Sequence, residues 1–435
     1  IPRPAPRNNK KQPLISAEAE QYFALLGQRE NWQNVLQTKA ADARHRVLNE
    51  VEPDFAQPDQ RKARDSIGPY MGWLGKREVP PNKVFVTRLE NIAGCPWRAL
   101  LTSRLRLEPI ADPILDLPSN NALMLGNVVH DAMERLTQNG SVVRRPKPKA
   151  IRDALATSAL KVALQEEIRL DGMINALTAQ AEPFLQKAID LEWPNSDSIL
   201  NVVGCEVTEQ THVSWDGFEF DLHFRADRVD RDEGDGEGDG DADRECVIYT
   251  DYKTSKPKSI STAKGDATRR EHHLNKVRSG SKLQGAAYAC SKSGAVGRYL
   301  FLNLPDDAGL DQAEFLVSSN DEEFSTTFSQ TSAALYQSLL LGVAPPRMEI
   351  LGKKKDNSVC GYCDVSDACL LKDSGNRRRL VEGIGKLADR RSRNLKKESE
   401  SSDCEAPLTE AELNLTDLWY LSEGHKPWQD GEEQS

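Results

Sequence analysis

The stretch 247–253 reads Val-Ile-Tyr-Thr-Asp-Tyr-Lys, an apolar run that ends in an acid and a base. Its β-branched and aromatic residues predict a buried strand. Residues two apart in a strand point to the same face, so the side chains of Asp251 and Lys253 are expected to lie together. Charged groups at the end of a buried strand are costly to desolvate unless a partner compensates them. This stretch is therefore expected to mark both a central strand and a chemical site.

Two alternating stretches, 199–214 and 218–229, precede this strand, and an Asp-Gly pair at 216–217 predicts a hairpin turn between them. The second stretch carries Asp227. The acidic, Gly-rich segment 231–245 then leads into the central strand, and we interpret it as a solvated hairpin loop. The two strands that it joins should pair antiparallel, which brings Asp227 to the face that holds the acid and the base.

Helical and extended patterns alternate around these strands, which predicts an α/β protein with a mixed central sheet flanked by helices. We predict a helical N-terminal extension and connector over 1–83, a core domain over 84–372, and a charged linker with a partly disordered tail over 373–435. The tail includes a short amphipathic segment at 408–421. The expected helices of the core cover 125–136, 148–190 with a break at Pro183, 281–291 and 321–341.

The net charge of −10 is distributed unevenly along the chain. The segment 231–245 has eight acids and two bases, and 396–435 has eleven acids and three bases. In contrast, 253–282 has nine bases and two acids. Such a basic stripe is typical of a surface that binds a phosphate backbone, and a solvated lysine-rich loop is the alternative. The candidate DNA contacts in the stripe are Lys256, Lys258, Arg269, Arg270, Lys276, Arg278 and Lys282.

Two carboxylates beside an ammonium group suit a divalent hard cation such as Mg²⁺ or Mn²⁺. The lysine would then orient or deprotonate an attacking water, as metal-assisted phosphodiester hydrolysis requires. An Asp-x-Lys triplet is a weak signal alone, and a surface ion pair is the alternative. The sequence therefore favours a hydrolytic metal site if other groups converge on the same place.

Two helical segments supply such groups. His130 and Glu134 lie four residues apart and share a helix face, as do Gln284 and Tyr288. His130 suits a metal ligand or a phosphate contact, and the amide and phenol of the second pair suit contacts to the backbone or to the nucleophile. Ordinary helix packing is the alternative for each of them.

Four of the eight cysteines flank these motifs. Cys95 stands alone before Pro96, and 264 residues separate it from the Cys-x2-Cys-x5-Cys group. A CxxC pair in a chain with few cysteines indicates metal or redox chemistry, and one metal centre would tie together both ends of the domain. Structural Zn²⁺ and an iron–sulfur cluster both suit four thiolates, and the absence of a second CxxC favours iron. The three cysteines of the later group are Cys360, Cys363 and Cys369.

In this order the motifs resemble the RecB-type nuclease domain of the PD-(D/E)xK superfamily over 84–372. The matching elements are GxxxHxxxE, an Asp after a small residue, Asp-x-Lys and QxxxY. The four cysteines resemble the iron–sulfur subgroup, which includes AddB-type helicase–nuclease subunits and small CRISPR-associated exonucleases. The long acidic segment 231–245 departs from the family pattern. The resemblance implies a restriction-endonuclease-like fold.

The resemblance also implies roles for particular residues. Asp227 and Asp251, with the main-chain carbonyl of Tyr252, would bind the catalytic Mg²⁺ or Mn²⁺, and His130 would contribute to that metal site. Lys253 would be catalytic. The four cysteines would hold a [4Fe–4S] cluster, with structural Zn²⁺ as the alternative. The full set of implied catalytic residues is Lys253, Asp251, Asp227, His130, Gln284, Tyr288 and Glu134.

We therefore expect a Mg²⁺-dependent deoxyribonuclease that acts on single-stranded DNA, as the nuclease part of a bacterial helicase–nuclease in double-strand-break repair. No GxxxxGK[ST] motif occurs, so an upstream part of a longer chain or another protein would supply the motor. A free-standing iron–sulfur exonuclease of the CRISPR-associated type is an alternative. A DNA-binding or scaffold subunit without turnover is another. No run approaches 18 apolar residues, and the sparse cysteines favour a cytoplasmic location.

Overall fold

The structure is a computed structural model. The chain divides into two compact units, Ile1–Trp73 and Leu74–Ser435, and the fold described below is that of the second. Most of the predicted N-terminal extension lies outside the described residues, as do Lys256 and Lys258. The described residues are 71–77, 81–108, 120–138, 141–232, 246–255, 265–305, 309–346, 360, 363–369, 374–398 and 407–421.

A mixed β-sheet forms the centre of this unit. The strands follow the order β2-β3-β4-β5-β6-β7, and β1 pairs with β4. The β5–β6 and β1–β4 pairs are parallel and the others are antiparallel, so the prediction of a mixed sheet is confirmed. The strands are β1 (Val84–Phe85), β2 (Val142–Arg144), β3 (Ile199–Trp215), β4 (Phe218–Asp232), β5 (Cys246–Lys253), β6 (Val296–Phe301) and β7 (Glu314–Ser318).

Helices cover both faces of the sheet, which confirms the α/β class. Tyr252 and Leu300 pack into one core with the helices of residues 122–192. On the other face, the rings of Tyr249 and Tyr288 pack together. The helices are α1 (Val86–Gly94), α2 (Pro96–Ala99), α3 (Ala122–Thr137), α4 (Pro148–Gln165), α5 (Asp171–Glu192), α6 (Asp266–Arg278), α7 (Gln284–Ala289), α8 (Leu310–Ala313), α9 (Glu322–Leu341), α10 (Ser374–Glu398) and α11 (Glu410–Trp419).

The hairpin between β3 and β4 fixes the register of the long antiparallel pair. Asp216 and Gly217 both have positive φ angles, 48° and 75°, which is the conformation of a type I′ turn. Trp215 pairs with Phe218 across this turn. The predicted Asp-Gly turn is therefore confirmed, and it sets which residues of β4 lie opposite β3.

The predicted break at Pro183 is wrong. Pro183 lies inside α5, and the interruption falls instead at 166–170, where Glu167 has a φ of 59°. A proline inside a helix removes one backbone hydrogen bond. Here Leu177, Leu185 and Ile189 are fully buried on the same helix, and this packing outweighs the lost bond.

The expected linker after the core is also wrong for residues 374–398, which form α10. Leu380, Ile384 and Ala388 are buried at a spacing of four residues, as expected for one helix face. The amphipathic segment predicted at 408–421 forms α11, and Nδ2 of Asn414 donates to the carbonyl of Ala334 in α9 at 2.8 Å. The C-terminal helix therefore docks on the body of the unit.

No helix among the described residues is both long enough and apolar enough to cross a membrane.

Candidate active site

The end of β5 places an acid and a base side by side. Nζ of Lys253 lies 2.5 Å from Oδ2 of Asp251, and both side chains are largely buried. Gln284, at the start of α7, accepts a hydrogen bond from Nζ of Lys253 at 3.1 Å. The same ammonium lies 5.8 Å from the ring centroid of Tyr299. Three neighbouring groups therefore fix the position of the lysine.

Asp227 joins this group from β4. Its Oδ2 accepts a hydrogen bond from the backbone N–H of Tyr252 at 2.8 Å, and its Oδ1 lies 3.3 Å from Nδ1 of His130. Nε2 of His130 lies 2.8 Å from the carbonyl oxygen of Tyr252. His130 thus bridges a carboxylate and a backbone carbonyl that the sequence predicted as metal ligands.

The remaining predicted residues lie at the edges of this group. The hydroxyl of Tyr288 donates to the carbonyl of Arg225 at 2.8 Å, so it anchors α7 on β4. Glu134 lies one turn after His130 on α3, and its negative charge acts on Glu206 of β3. The structure therefore brings Asp227, Asp251, Lys253, His130 and Gln284 together and leaves Tyr288 and Glu134 beside them.

Glu206 is an acid of this site that sequence reasoning missed. Its neighbours on β3 pair with Ala226 and Arg228, so its backbone lies opposite Asp227. Its φ of 52° is left-handed, which is uncommon for a residue with a side chain. Burial raises the pKa of its carboxyl, and the charge of Asp227 adds to the rise. No spacing or motif in the sequence marks this residue.

The electrostatics pair each carboxylate with a base. Burial raises the pKa of Asp251, although the ammonium of Lys253 opposes the rise. Burial also disfavours the charged form of Asp227, yet His130 and the N–H of Tyr252 hold its pKa below the usual value. Burial disfavours the protonated imidazole, but Asp227 outweighs it and raises the pKa of His130 to about 9. The two acids are thus held between two cations.

The donor types at this site fit a hard divalent ion. No group of three or more His, Cys, Asp or Glu side chains is arranged to hold a metal ion within the part of the chain that the structure describes. The carboxylates of Asp227 and Asp251 and the carbonyl of Tyr252 are nevertheless oxygen ligands of the kind that Mg²⁺ takes. Oδ2 of Asp251 is buried and is compensated by Nζ of Lys253 at 2.5 Å. A divalent ion would add to this compensation, because it would neutralise the second buried carboxylate as well.

A buried ionic network behind β5 holds the site strand in place. The hydroxyl of Tyr252 donates to Oε1 of Glu192 at 3.0 Å and accepts from Nη1 of Arg228. Nη1 of Arg298 donates to both oxygens of the same carboxylate at 3.0 and 2.9 Å. Burial alone would raise the pKa of Glu192, but the two guanidinium groups lower it to about 2. The network therefore anchors the residue whose backbone contacts Asp227 and His130.

The two cysteine segments contact one another. Cys95 is buried between α1 and α2, and its Sγ accepts the backbone N–H of Arg98 at 3.4 Å. Nη2 of Arg98 pairs with Asp364 at 2.8 Å, and Nε1 of Trp97 donates to the carbonyl of Ala368 at 3.3 Å. These contacts join the turn of Cys95 to the segment 363–369. Within the described residues no disulfide involves these cysteines.

Several arginines of the basic stripe are engaged in intramolecular contacts. Arg270 pairs with Asp321 and Glu323 at 2.8 Å, and Arg278 pairs with Glu271 and Glu323 at 3.0 Å. These bonds tie α6 to α9 and reduce the net positive charge that this surface offers to DNA.

The other described bases of the stripe differ from one another. Arg269 donates to the backbone carbonyls of Asp311 and Glu314. Lys276 is exposed, whereas Lys282 is half-buried. Burial and the nearby charge of Lys253 lower the pKa of Lys282. A role in DNA binding stays a prediction for each of these residues.

Comparison with known proteins identifies the family. A family model described as the PD-(D/E)XK nuclease superfamily matches residues 84–370. The chain therefore belongs to the PD-(D/E)XK nuclease superfamily, whose members are nucleases. The matched region contains all seven predicted catalytic residues and all four cysteines of the predicted cluster.

The other comparisons add little. No curated protein matches the chain. One similar solved structure is described as "Crystal structure of SSO0001"; it is 15% identical, with a TM-score of 0.28, and the match covers 67% of this chain and 88% of that one.

Proposed function

We propose that this protein is a metal-dependent nuclease that hydrolyses phosphodiester bonds in DNA, with single-stranded DNA as the preferred substrate. One observation carries the proposal. Asp227 and Asp251 from neighbouring strands meet His130 and Lys253 at the end of β5, with Oδ1 of Asp227 3.3 Å from Nδ1 of His130 and Oδ2 of Asp251 2.5 Å from Nζ of Lys253. Membership of a nuclease superfamily supports the same chemistry.

Each residue of this group has a distinct role in the proposed reaction. The two carboxylates and the carbonyl of Tyr252 would hold one divalent ion, Mg²⁺ or Mn²⁺, and His130 would contribute to the same site once the ion displaces its proton. When bound, this ion would stabilise negative charge on the phosphate and make a water molecule more acidic. Lys253 would orient the attacking water by donating from its ammonium group and would stabilise the developing negative charge, while Gln284 keeps the ammonium group in place.

We infer that the domain serves a helicase–nuclease of the AddB/RecB kind in double-strand-break repair. The order of the motifs over 84–372 supports this assignment, because every element of the pattern is present. The motor would be supplied by another part of a longer chain or by a partner, since this sequence has no phosphate-binding loop of the GxxxxGK[ST] type.

The same resemblance leads us to propose that the four cysteines hold a [4Fe–4S] cluster. The contacts of Trp97 and Arg98 with the segment 363–369 support it, because they bring the two sets of thiols toward each other. Anaerobic purification should give a brown protein with iron and sulfide, and Cys95→Ser should lose both. Cys290→Ser, outside the cluster, should keep them. A colourless protein that contains zinc would refute the iron–sulfur cluster and show that the four cysteines form a zinc site.

A digestion assay tests the proposed activity. A labelled single-stranded oligonucleotide should be degraded by the parent protein with Mg²⁺ and not with EDTA. Asp251→Ala and Lys253→Ala should each reduce the rate by at least about a hundredfold, as expected when a catalytic group is removed. Asp266→Asn removes an exposed acid of α6 and serves as the matched control. Equal rates for Asp251→Ala and the parent protein would refute the assignment.

A further inference from the structure

A pocket beside α1 is lined by none of the proposed catalytic residues. Residues of α1, of α2 and of the π-helical turn Leu100–Arg104 form one side, and the end of α9 forms the other. Its enclosed volume is about 40 Å³, and it is open to solvent on one side. Its floor is apolar and includes Ile92, Pro96, Ala99, Leu100, Leu339 and Val343.

Three arginines also line this pocket: Arg77, Arg88 and Arg104. No acidic residue is among the lining residues, and none of the three guanidinium groups forms an ion pair with a residue that the structure describes. Nε of Arg77 is buried and has no hydrogen-bond partner. These groups contrast with Arg270 and Arg278, which are paired with acids. The pocket therefore carries three positive charges that no acidic side chain among the described residues neutralises.

The three charges act on one another. Burial lowers the pKa of Arg77, and the like charges of Arg104 and Arg88 lower it further. Like charges held close together repel, so a bound anion would relieve this repulsion and satisfy the buried donor. Guanidinium groups match the geometry of phosphate oxygens and also stack on flat rings. An apolar floor below several arginines therefore suits a ligand with both a phosphate and a flat ring.

We propose that this arginine pocket binds a nucleotide of the DNA strand, with its phosphate against Arg77, Arg88 and Arg104 and its base on the apolar floor. The proposal rests on the proposed nuclease function and adds a second point at which the strand is held. Pro96 lines the pocket and directly follows Cys95, so the predicted metal centre and this pocket share one turn of the chain.

The test is the binding of a fluorescein-labelled oligothymidine, followed by anisotropy with Ca²⁺ in place of Mg²⁺ to suppress cleavage. Arg104→Gln is the first variant because this side chain is exposed, and the Arg77→Gln/Arg88→Gln/Arg104→Gln variant removes all three charges. We expect Arg104→Gln to weaken binding by about threefold and the triple variant by at least about thirtyfold. The slope of log K against log salt should fall by about 0.7 for each lost phosphate contact on single strands. Arg152→Gln on α4, also exposed, is the matched control and should bind like the parent protein.

The outcomes separate this proposal from the proposed function. If the parent protein digests DNA but Arg104→Gln and the triple variant bind it with the parent's affinity and salt slope, the nucleotide pocket is refuted and the nuclease assignment stands. If the parent protein neither digests nor binds DNA, both are refuted. A triple variant that does not fold leaves Arg104→Gln to decide.

Discussion

Replacing the buried His273 by phenylalanine should make the protein more resistant to acid. His273 lies on α6 and is fully buried, with its ring centroid 4.5 Å from that of Phe315 and 5.3 Å from that of Tyr299. Neither of its ring nitrogens has a hydrogen-bond partner. The ring therefore serves as an apolar packing element, and its protonation would place a charge among aromatic rings.

The size of this stability change follows from the pKa shift of His273. Burial, with a smaller contribution from the charge of Lys282, lowers the pKa of His273 from 6.5 to about 3. The unfolded chain therefore takes up a proton first as the pH falls. The stability due to the neutral ring is complete above the unfolded pKa and is lost as the pH drops toward the folded pKa. Linkage gives a loss of about 2 kcal/mol between pH 7.5 and pH 5, and at most about 5 kcal/mol below pH 3.

Urea unfolding at pH 7.5 and at pH 5 measures this effect. Relative to the parent protein, His273→Phe should gain about 2 kcal/mol of unfolding free energy on acidification, because phenylalanine keeps the packing and has no proton to bind. His272→Phe, at the exposed neighbouring position, is the control and should gain nothing. The same pH dependence in His273→Phe and the parent protein would mean that the folded state accommodates the charged imidazole, contrary to this reasoning.

Two further changes test the scaffold of the site. Glu192→Leu should lower the free energy of unfolding by about 3–5 kcal/mol in urea, because it removes the buried carboxylate that pairs with both Arg228 and Arg298 and leaves two guanidinium groups with only Asp230 and Glu314 as acidic partners among the described residues. A loss below about 1 kcal/mol would show that the network is dispensable. Gly297→Ala would place a Cβ atom 2.0 Å from the carbonyl oxygen of Gly285, so thermal unfolding should show a loss of about 2–3 kcal/mol. Gly385→Ala in α10 is the control, because the added Cβ atom has no neighbour within 4 Å; it should be neutral or stabilise the protein by up to about 1 kcal/mol. Equal losses of stability for the two glycine variants would contradict the close approach of β6 and α7.

The sequence predicted the central strands well because their signals are local. The alternation along β3 and β4, the Asp-Gly turn between them and the apolar run of β5 each lie within a few residues. The helix α10 was not predicted, because its segment contains many charged residues and only three buried apolar residues at a spacing of four mark the helix face. It also failed at Pro183, where packing of the helix against the core outweighs the local preference of proline.

The candidate site shows the same division. The groups that lie close together were predictable where a short spacing relates them, as in Asp251 and Lys253, or where the order of motifs resembles a known family. The hydrogen bond between Tyr252 and Glu192 joins residues that are 60 positions apart, and no sequence motif indicates it. Glu206 was missed because its place opposite Asp227 depends on strand register and on a left-handed backbone conformation, neither of which is visible in residue types.

The binding of Mn²⁺, followed by electron paramagnetic resonance, tests most directly whether Asp227 and Asp251 coordinate one divalent ion. The parent protein should bind one Mn²⁺ at this site in a form that Mg²⁺ displaces. Asp227→Asn and Asp251→Asn should each lose this ion, while Asp266→Asn should keep it. If Asp251→Asn binds Mn²⁺ with the stoichiometry and affinity of the parent protein, the two acids at the end of β5 do not form the metal site.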